Sequence, residues 1–214
     1  MRINVVSVSG GKDSTATACL ALERCDRMSL AFVFADTGNE HEETYAYLDY
    51  LQQALGITII RLRAKFDEQI AARRLFVAHD RRVRKRLVRT YNDEGQVIKR
   101  SVQFVRHTNK AKRRILAALH QTGNPYLDLC LWKGRFPSRR AQFCTQFLKT
   151  EPLTEYQLSL VDQGFEVWSW QGVRADESPN RALLAELEDM GGGLYAEFCA
   201  WYGIDVGQYD DGRR

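Results

Sequence analysis

Between residues 3 and 17 the chain passes from an apolar run through a glycine turn into a helix, and this passage limits the fold more than any other stretch. Residues 3–8 (Ile-Asn-Val-Val-Ser-Val) are largely β-branched and read as a short strand buried on both faces. Ser9-Gly10-Gly11-Lys12-Asp13-Ser14 follows at once, and residues 15–23 read as helix.

Such a junction suits a phosphate group. The first backbone N–H groups of a helix have no intrahelical partner, and the helix dipole adds partial positive charge there. Gly10 and Gly11 let the backbone approach an anion with no Cβ in the way. Lys12 brings a full charge, and Ser9 and Ser14 bring hydroxyl donors. Asp13 would repel a phosphate unless it caps the helix or holds a metal ion. The spacing is neither Walker A nor the dinucleotide fingerprint Gly-x-Gly-x-x-Gly.

Residues 30–35 form a second apolar run, ending in Asp36-Thr37-Gly38-Asn39-Glu40. Ligands of open parallel sheets bind beyond the carboxyl ends of strands, so this turn is expected beside the first loop. Asp36 suits a ribose or amino hydrogen bond or a metal; it equally suits a turn that starts the next helix, and the two roles are compatible. The helix expected over residues 42–55 carries Tyr45, Leu48, Leu51, Gln52 and Leu55 on one stripe, Gly56 closes it, and residues 57–62 read as a third strand. Successive βα units predict an α/β fold with a doubly wound, mostly parallel sheet.

Charge is spread unevenly over the 214 residues. Residues 73–114 hold fifteen of the 31 Lys and Arg residues against three acids, Asp80, Asp93 and Glu94. Arg81, Arg82, Arg84, Lys85 and Arg86 form the densest part; as a helix this run would set like charges four apart. The turn Tyr91-Asn92-Asp93-Glu94-Gly95-Gln96 separates two alternating segments and suggests a hairpin. We therefore expect one α/β domain over residues 1–214, a basic insertion at about 73–114 that contacts a polyanion, and a polar tail from about residue 203. Neither a signal peptide nor an apolar run long enough to cross a membrane is legible, which places the chain in the cytoplasm.

After Gly123-Asn124-Pro125 comes a second cationic loop with Lys133, Arg135, Arg139 and Arg140, then Phe143-Cys144-Thr145-Gln146-Phe147-Leu148-Lys149. Thr145 or Thr150 could cap the following helix, where Pro152 suits the first turn. Residues 165–171 read as a fourth sheet strand, with the glycine turn Gly172-Val173-Arg174-Ala175-Asp176-Glu177-Ser178 at its end. The five cysteines (Cys19, Cys25, Cys130, Cys144 and Cys199) form no C-x-x-C pair and read as thiols. Cys144 has cationic neighbours, which suit a reactive thiol, and a Phe143 neighbour, which suits a core cysteine. His41, His79, His107 and His120 have no ligand spacing and read as surface or capping residues, His41 being nearest the proposed site.

Four stretches occur together in order: residues 9–14, residues 34–40 with Glu43-Thr44 just after, residues 144–152, and residues 172–181. In this the chain resembles the phosphoadenosine phosphosulfate (PAPS) reductase family of PP-loop proteins, related to ATP pyrophosphatases. The resemblance implies a three-layer, adenine nucleotide α-hydrolase-like fold. It implies phosphates at Ser9, Gly10, Gly11, Lys12, Asp13 and Ser14, the nucleoside along Asp36, Thr37 and Gly38, and a distal phosphate or sulfate facing Gly172, Arg174, Glu177 and Ser178. The C-terminal Glu-Cys-Gly-Leu/Ile-His-type tail of reductases has no counterpart here, and the cysteine pairs of iron–sulfur members are absent, so no cluster is expected from this chain.

Three functions compete on these grounds. The first is ATP α-phosphate chemistry with Mg²⁺, for which Asp13, Asp36 or Asp176 is the candidate ligand, linked to sulfur transfer from a sulfur-donor protein, with a nucleic acid as one acceptor. Lys12 and Arg174 would then stabilise charge on the phosphates. The second is reduction of PAPS by Cys144 with electrons from a thioredoxin-like partner. The third is a nucleotide-gated nucleic-acid-binding module without catalysis.

Overall fold

The computed structural model describes residues 1–172, without the Arg84 side chain; Val173–Arg214 lies outside the described residues. In chain order the first elements are β1 (Arg2–Ser7), α1 (Lys12–Arg24), β2 (Leu30–Ala35), α2 (Glu42–Leu55) and β3 (Ile59–Leu62). Next come α3 (Asp67–His79), β4 (Arg84–Tyr91), β5 (Val97–Val105), α4 (Asn109–Ala118) and α5 (Pro125–Lys133). A single helical turn α6 (Phe143–Thr145) then passes through a π segment (Gln146–Thr150) into α7 (Glu151–Asp162), and β6 (Glu166–Trp170) follows.

Four strands form one parallel sheet in the order β3-β2-β1-β6, with Phe32 opposite Ile59, Val5 opposite Ala31 and Ile3 opposite Val167. Strand side chains alternate between faces, and both faces of this sheet are covered. Val6, Val8, Phe32, Phe34 and Ile59 pack with Ala18 and Ala21 of α1 and Leu48 and Leu51 of α2. Val5 and Val33 have the opposite parity and are also fully buried; α7 lies against β2, β3 and β6 on that side. The result is the three-layer α/β arrangement expected from the sequence.

Local choices agree with this frame. Gly56 ends α2 in the left-handed region at φ 61°, and the Gln52 side chain accepts from the Ile59 amide at 2.9 Å, tying helix to strand. Asn4, buried in the central strand, is satisfied by Ser29 and by the Trp170 indole N–H.

A second core gathers Phe66, Ile70, Leu129 and Leu148, with Trp132 stacked on Phe66 and edge-on to Phe147. Neither Thr145 nor Thr150 makes the side-chain cap expected of it, because both are already in helical conformation. The helical segment runs through the π turn, which absorbs the missing N–H of Pro152.

The basic stretch forms the hairpin that its sequence suggests. It opens inside α3, where only Ile70 is buried, and continues into an antiparallel ribbon, β4–β5. In a strand, successive cations alternate between faces instead of stacking four apart, which lowers their mutual repulsion.

Candidate functional site

At the carboxyl end of β1, Gly10 takes φ +76°, and a Cβ built on it would stand 2.9 Å from the Thr44 methyl of α2. Gly11 occupies the N-cap position of α1 and has no side chain with which to cap the first turn. The first i→i−4 bond is Thr15 N–H to Gly11 O at 3.1 Å. By contrast, His41, Thr108 and Asn124 place side-chain caps on α2, α4 and α5. Ser14 is buried and braces the loop: its Oγ accepts from the Ser9 amide at 3.0 Å and donates to Gly11 O at 2.9 Å. Lys12 and Ser9 stand exposed at the mouth.

The strand order positions this loop. Connections from β1 run toward β2 and β3, and the chain then returns to place β6 on the other side of β1, so the topological switch point lies between β1 and β6. The two glycine turns that the sequence marks follow these two strands. Gly172 sits so close to the start of α1 that a Cβ there would lie 2.8 Å from the Asp13 carbonyl carbon and 2.9 Å from the Ser14 amide nitrogen.

The turn after β2 is equally built. Asp36 is buried; its Oδ1 accepts from the Tyr45 hydroxyl at 2.7 Å and from the Gly38 amide at 2.9 Å, and its Oδ2 pairs with Arg63 Nε at 3.3 Å. Burial raises the Tyr45 pKa, and its hydrogen bond to Asp36 adds to the rise. Thr37 donates to Glu40 at 2.8 Å. Gly38 takes φ +73° with Pro125 and Asn124 against it, the Asn124 amide donates to Gly38 O, and the Tyr126 N–H donates to Thr37 O. The start of α5 is thereby docked on the Asp36 turn. Among the described residues no three acidic, histidine or cysteine side chains converge as metal ligands, and both Asp36 oxygens are engaged, so the donor set does not form a protein cage for Mg²⁺.

Cys144 lies half-buried in α6, packed with Tyr126 against the second core. Burial pushes the Cys130 thiol up, a charged Cys144 nearby pushes the same way, and a hydrogen bond from Tyr126 opposes both. Lys133 is only partly a surface cation: its Nζ lies 3.7 Å from the Trp132 ring centroid and 3.8 Å from that of Phe147, and burial lowers its pKa against the opposing pull of Glu151. Arg135 stands over Phe143, while Arg139 and Arg140 are exposed in a turn closed by Ser138 and Ala141. Arg81, Lys85 and Arg86 are exposed, whereas Arg82 is clamped by Asp80.

Arg174, Asp176, Glu177, Ser178 and Cys199 lie outside the described residues. Arg63, Tyr45 and Asn124 were not read from the sequence as part of the site, and Thr44 was marked only within the second stretch that carries the resemblance. Arg63 and Tyr45 reach Asp36, and Thr44 reaches Gly10, only once β3 and α2 have packed beside β2. The Asn-Pro start of a helix was the available signal for Asn124.

Residues 3–189 match the family model described as the phosphoadenosine phosphosulfate reductase domain. An uncharacterised 37.8 kDa protein of Escherichia phage 186 is 44% identical over 190 residues, covering 87% of this chain and 52% of the relative. An uncharacterised nin region protein of Escherichia phage lambda is 26% identical over 195 residues, covering 88% of this chain and 56% of the relative. An uncharacterised protein of Methanocaldococcus jannaschii is 43% identical over 61 residues, which is 28% of this chain and 12% of that protein. The chain thus spans about half the length of the two phage relatives. Among the described residues no helix is long and apolar enough to cross a membrane.

Proposed function

The chain belongs to the phosphoadenosine phosphosulfate reductase domain family, and on that premise we propose that it binds an adenine nucleotide across the 9–14 loop and the Asp36 turn and activates ATP at its α-phosphate. The observation that carries the reading is the fit of Gly172 against the first turn of α1, whose N-cap glycine supplies no side-chain cap, at the sheet's switch point. Amides of Gly10 and Gly11, with Lys12, hold the phosphate chain; Ser14 keeps the loop in shape. Arg174, outside the described residues, is assigned to the phosphates by the family resemblance alone, and Asp36, Thr37 and Gly38 border the nucleoside.

In the reaction an acceptor oxygen attacks the α-phosphorus, the bond to the β-phosphate oxygen breaks, and pyrophosphate leaves with the electron pair. Donors already fixed around the phosphates stabilise the charge that develops there. A sulfur nucleophile from a donor protein then displaces AMP from the adenylylated acceptor. Mg²⁺ arriving with the triphosphate would neutralise part of its charge.

The test is a calorimetric titration with ATP, PAPS and adenosine bisphosphate, paired with an assay of pyrophosphate release. Lys12→Ala is expected to weaken ATP about ten- to a hundredfold, the worth of a hydrogen bond to a charged group. No affinity for any of the three nucleotides in the wild-type chain would end this reading.

One observation favours PAPS reduction as a second reading. Cys144 packs with Tyr126 against the second core, and the Tyr126 amide donates to Thr37 O of the Asp36 turn. The Cys144 thiolate would attack the sulfonate sulfur and expel adenosine bisphosphate, a thioredoxin-like thiolate would then attack the Cys144 sulfur and release sulfite, and the second thiol of that dithiol would reduce the mixed disulfide. Sulfite release from PAPS that disappears in Cys144→Ser is its signature; wild-type protein releasing pyrophosphate from ATP and no sulfite from PAPS rejects it.

A further inference from the structure

The β4–β5 ribbon interleaves cations with apolar side chains, eight of its seventeen strand residues being apolar. Register pairs Lys85 with Phe104, Leu87 with Val102 and Arg89 with Arg100, and directly opposed residues share a face. On this face Leu87 is 55% exposed, Val102 54% and Phe104 68%. The other face carries Val88 and Ser101, both half-buried, between the exposed pairs Arg86–Gln103 and Thr90–Lys99, a stretch with no exposed large apolar residue. Each strand's main packing partner among the described residues is the other strand.

Like charges directly opposite each other destabilise a strand pair, and an isolated two-stranded ribbon is marginal in water. Arg89 and Arg100 form such a pair, and neither strand contains an acidic residue to offset it. The face therefore combines an unrelieved double cation with an exposed apolar pair, Leu87 and Val102. A partner that suits both must offer dense negative charge alongside apolar surface.

Duplex DNA offers that combination, phosphate rows flanking base edges and thymine methyl groups. Two strands about 4.8 Å apart with their side chains match a major groove about 12 Å wide and exceed a minor groove of about 6 Å. Eight residues at about 3.3 Å each give β4 a reach of roughly 26 Å, within one turn of the duplex. The deep, narrow major groove of A-form RNA does not admit such a ribbon. We propose that the β4–β5 ribbon is a DNA-binding arm that enters the major groove with the face carrying Leu87, Val102, Arg89 and Arg100 turned toward the base edges. An adenylylating enzyme with this arm would have a nucleic acid as its acceptor, yet the arm stands or falls apart from the nucleotide site.

Fluorescence anisotropy with one duplex DNA, its single strand and the matching duplex RNA tests the arm. Wild-type protein is expected to hold duplex DNA about tenfold or more tighter than either alternative. Arg89→Ala with Arg100→Ala should weaken duplex binding about tenfold or more. Leu87→Ser with Val102→Ser leaves the charge unchanged and should still weaken it several-fold, with the dependence on salt unaltered. Circular dichroism and ATP titration on both variants serve as folding controls, and Lys12→Ala should lose ATP while keeping DNA. No duplex binding, equal binding to single strand or RNA, or wild-type affinity in the folded Leu87→Ser, Val102→Ser variant would overturn the proposal. Wild-type protein that holds duplex DNA but shows no affinity for ATP would count against the nucleotide reading alone.

Discussion

The parallel sheet and the β4–β5 ribbon draw on similar residues, valines, leucines and arginines, and put them to opposite uses. In the sheet Val5, Val6 and Val33 are fully buried, strands end in glycine turns, and a missing Cβ matters at the scale of an ångström. In the ribbon Leu87 and Phe104 face water and arginines stand opposite each other. One region is specified by shape and the other by charge, so the first should resist substitution and the second should tolerate it until a partner is present.

The sharpest way to break this comparison is to make the same change in both regions. Leu48→Ala, under the sheet, is expected to lower stability by about 2–5 kcal/mol in urea denaturation. Leu87→Ala should shift it by no more than about 0.5 kcal/mol. Equal losses would mean that the ribbon is an integral part of the core.

Glycines give the next test. Gly172→Ala presses a methyl group on the Asp13–Ser14 backbone and should cost about 1–3 kcal/mol, with a measurable loss of ATP affinity by calorimetry. Gly95→Ala, in the ribbon turn at φ +79° with open space around it, meets only the backbone penalty of about 1 kcal/mol and should leave ATP affinity unchanged.

The smallest effect lies at Asp36. Burial, then the hydrogen bond to Asp36, raises the Tyr45 phenol above its ordinary value, so the folded state holds that proton more tightly than the unfolded chain. The associated stability is complete below pH about 10 and is lost as pH rises through the folded pKa. Burial also raises the Tyr126 and Tyr156 phenols, so alkaline difference spectroscopy should show several late-titrating tyrosines, one of which moves to lower pH in Asp36→Asn.

Much of the sheet was legible because its signals are local. Residues 30–35 and 42–55 coincide with β2 and α2, and Gly56 ends α2 as expected. α3 was not read, since its apolar residues form no stripe and only Ile70 is buried. The helical nature of α5 and the π segment were also missed; both depend on packing in the second core. At the site, the loop and the Asp36 turn were visible as motifs, whereas the pairing of Arg63 with Asp36 arises from β3 lying beside β2 and leaves no trace in either segment alone.

The junction of β1 with β6 also sets a timetable for synthesis. Residues 9–14 emerge from the ribosome long before β6, so β1 keeps one open edge until residues 166–170 have been made, and the wall that Gly172 provides comes later still. A nascent chain halted before that point carries every residue of the 9–14 loop without its finished surroundings.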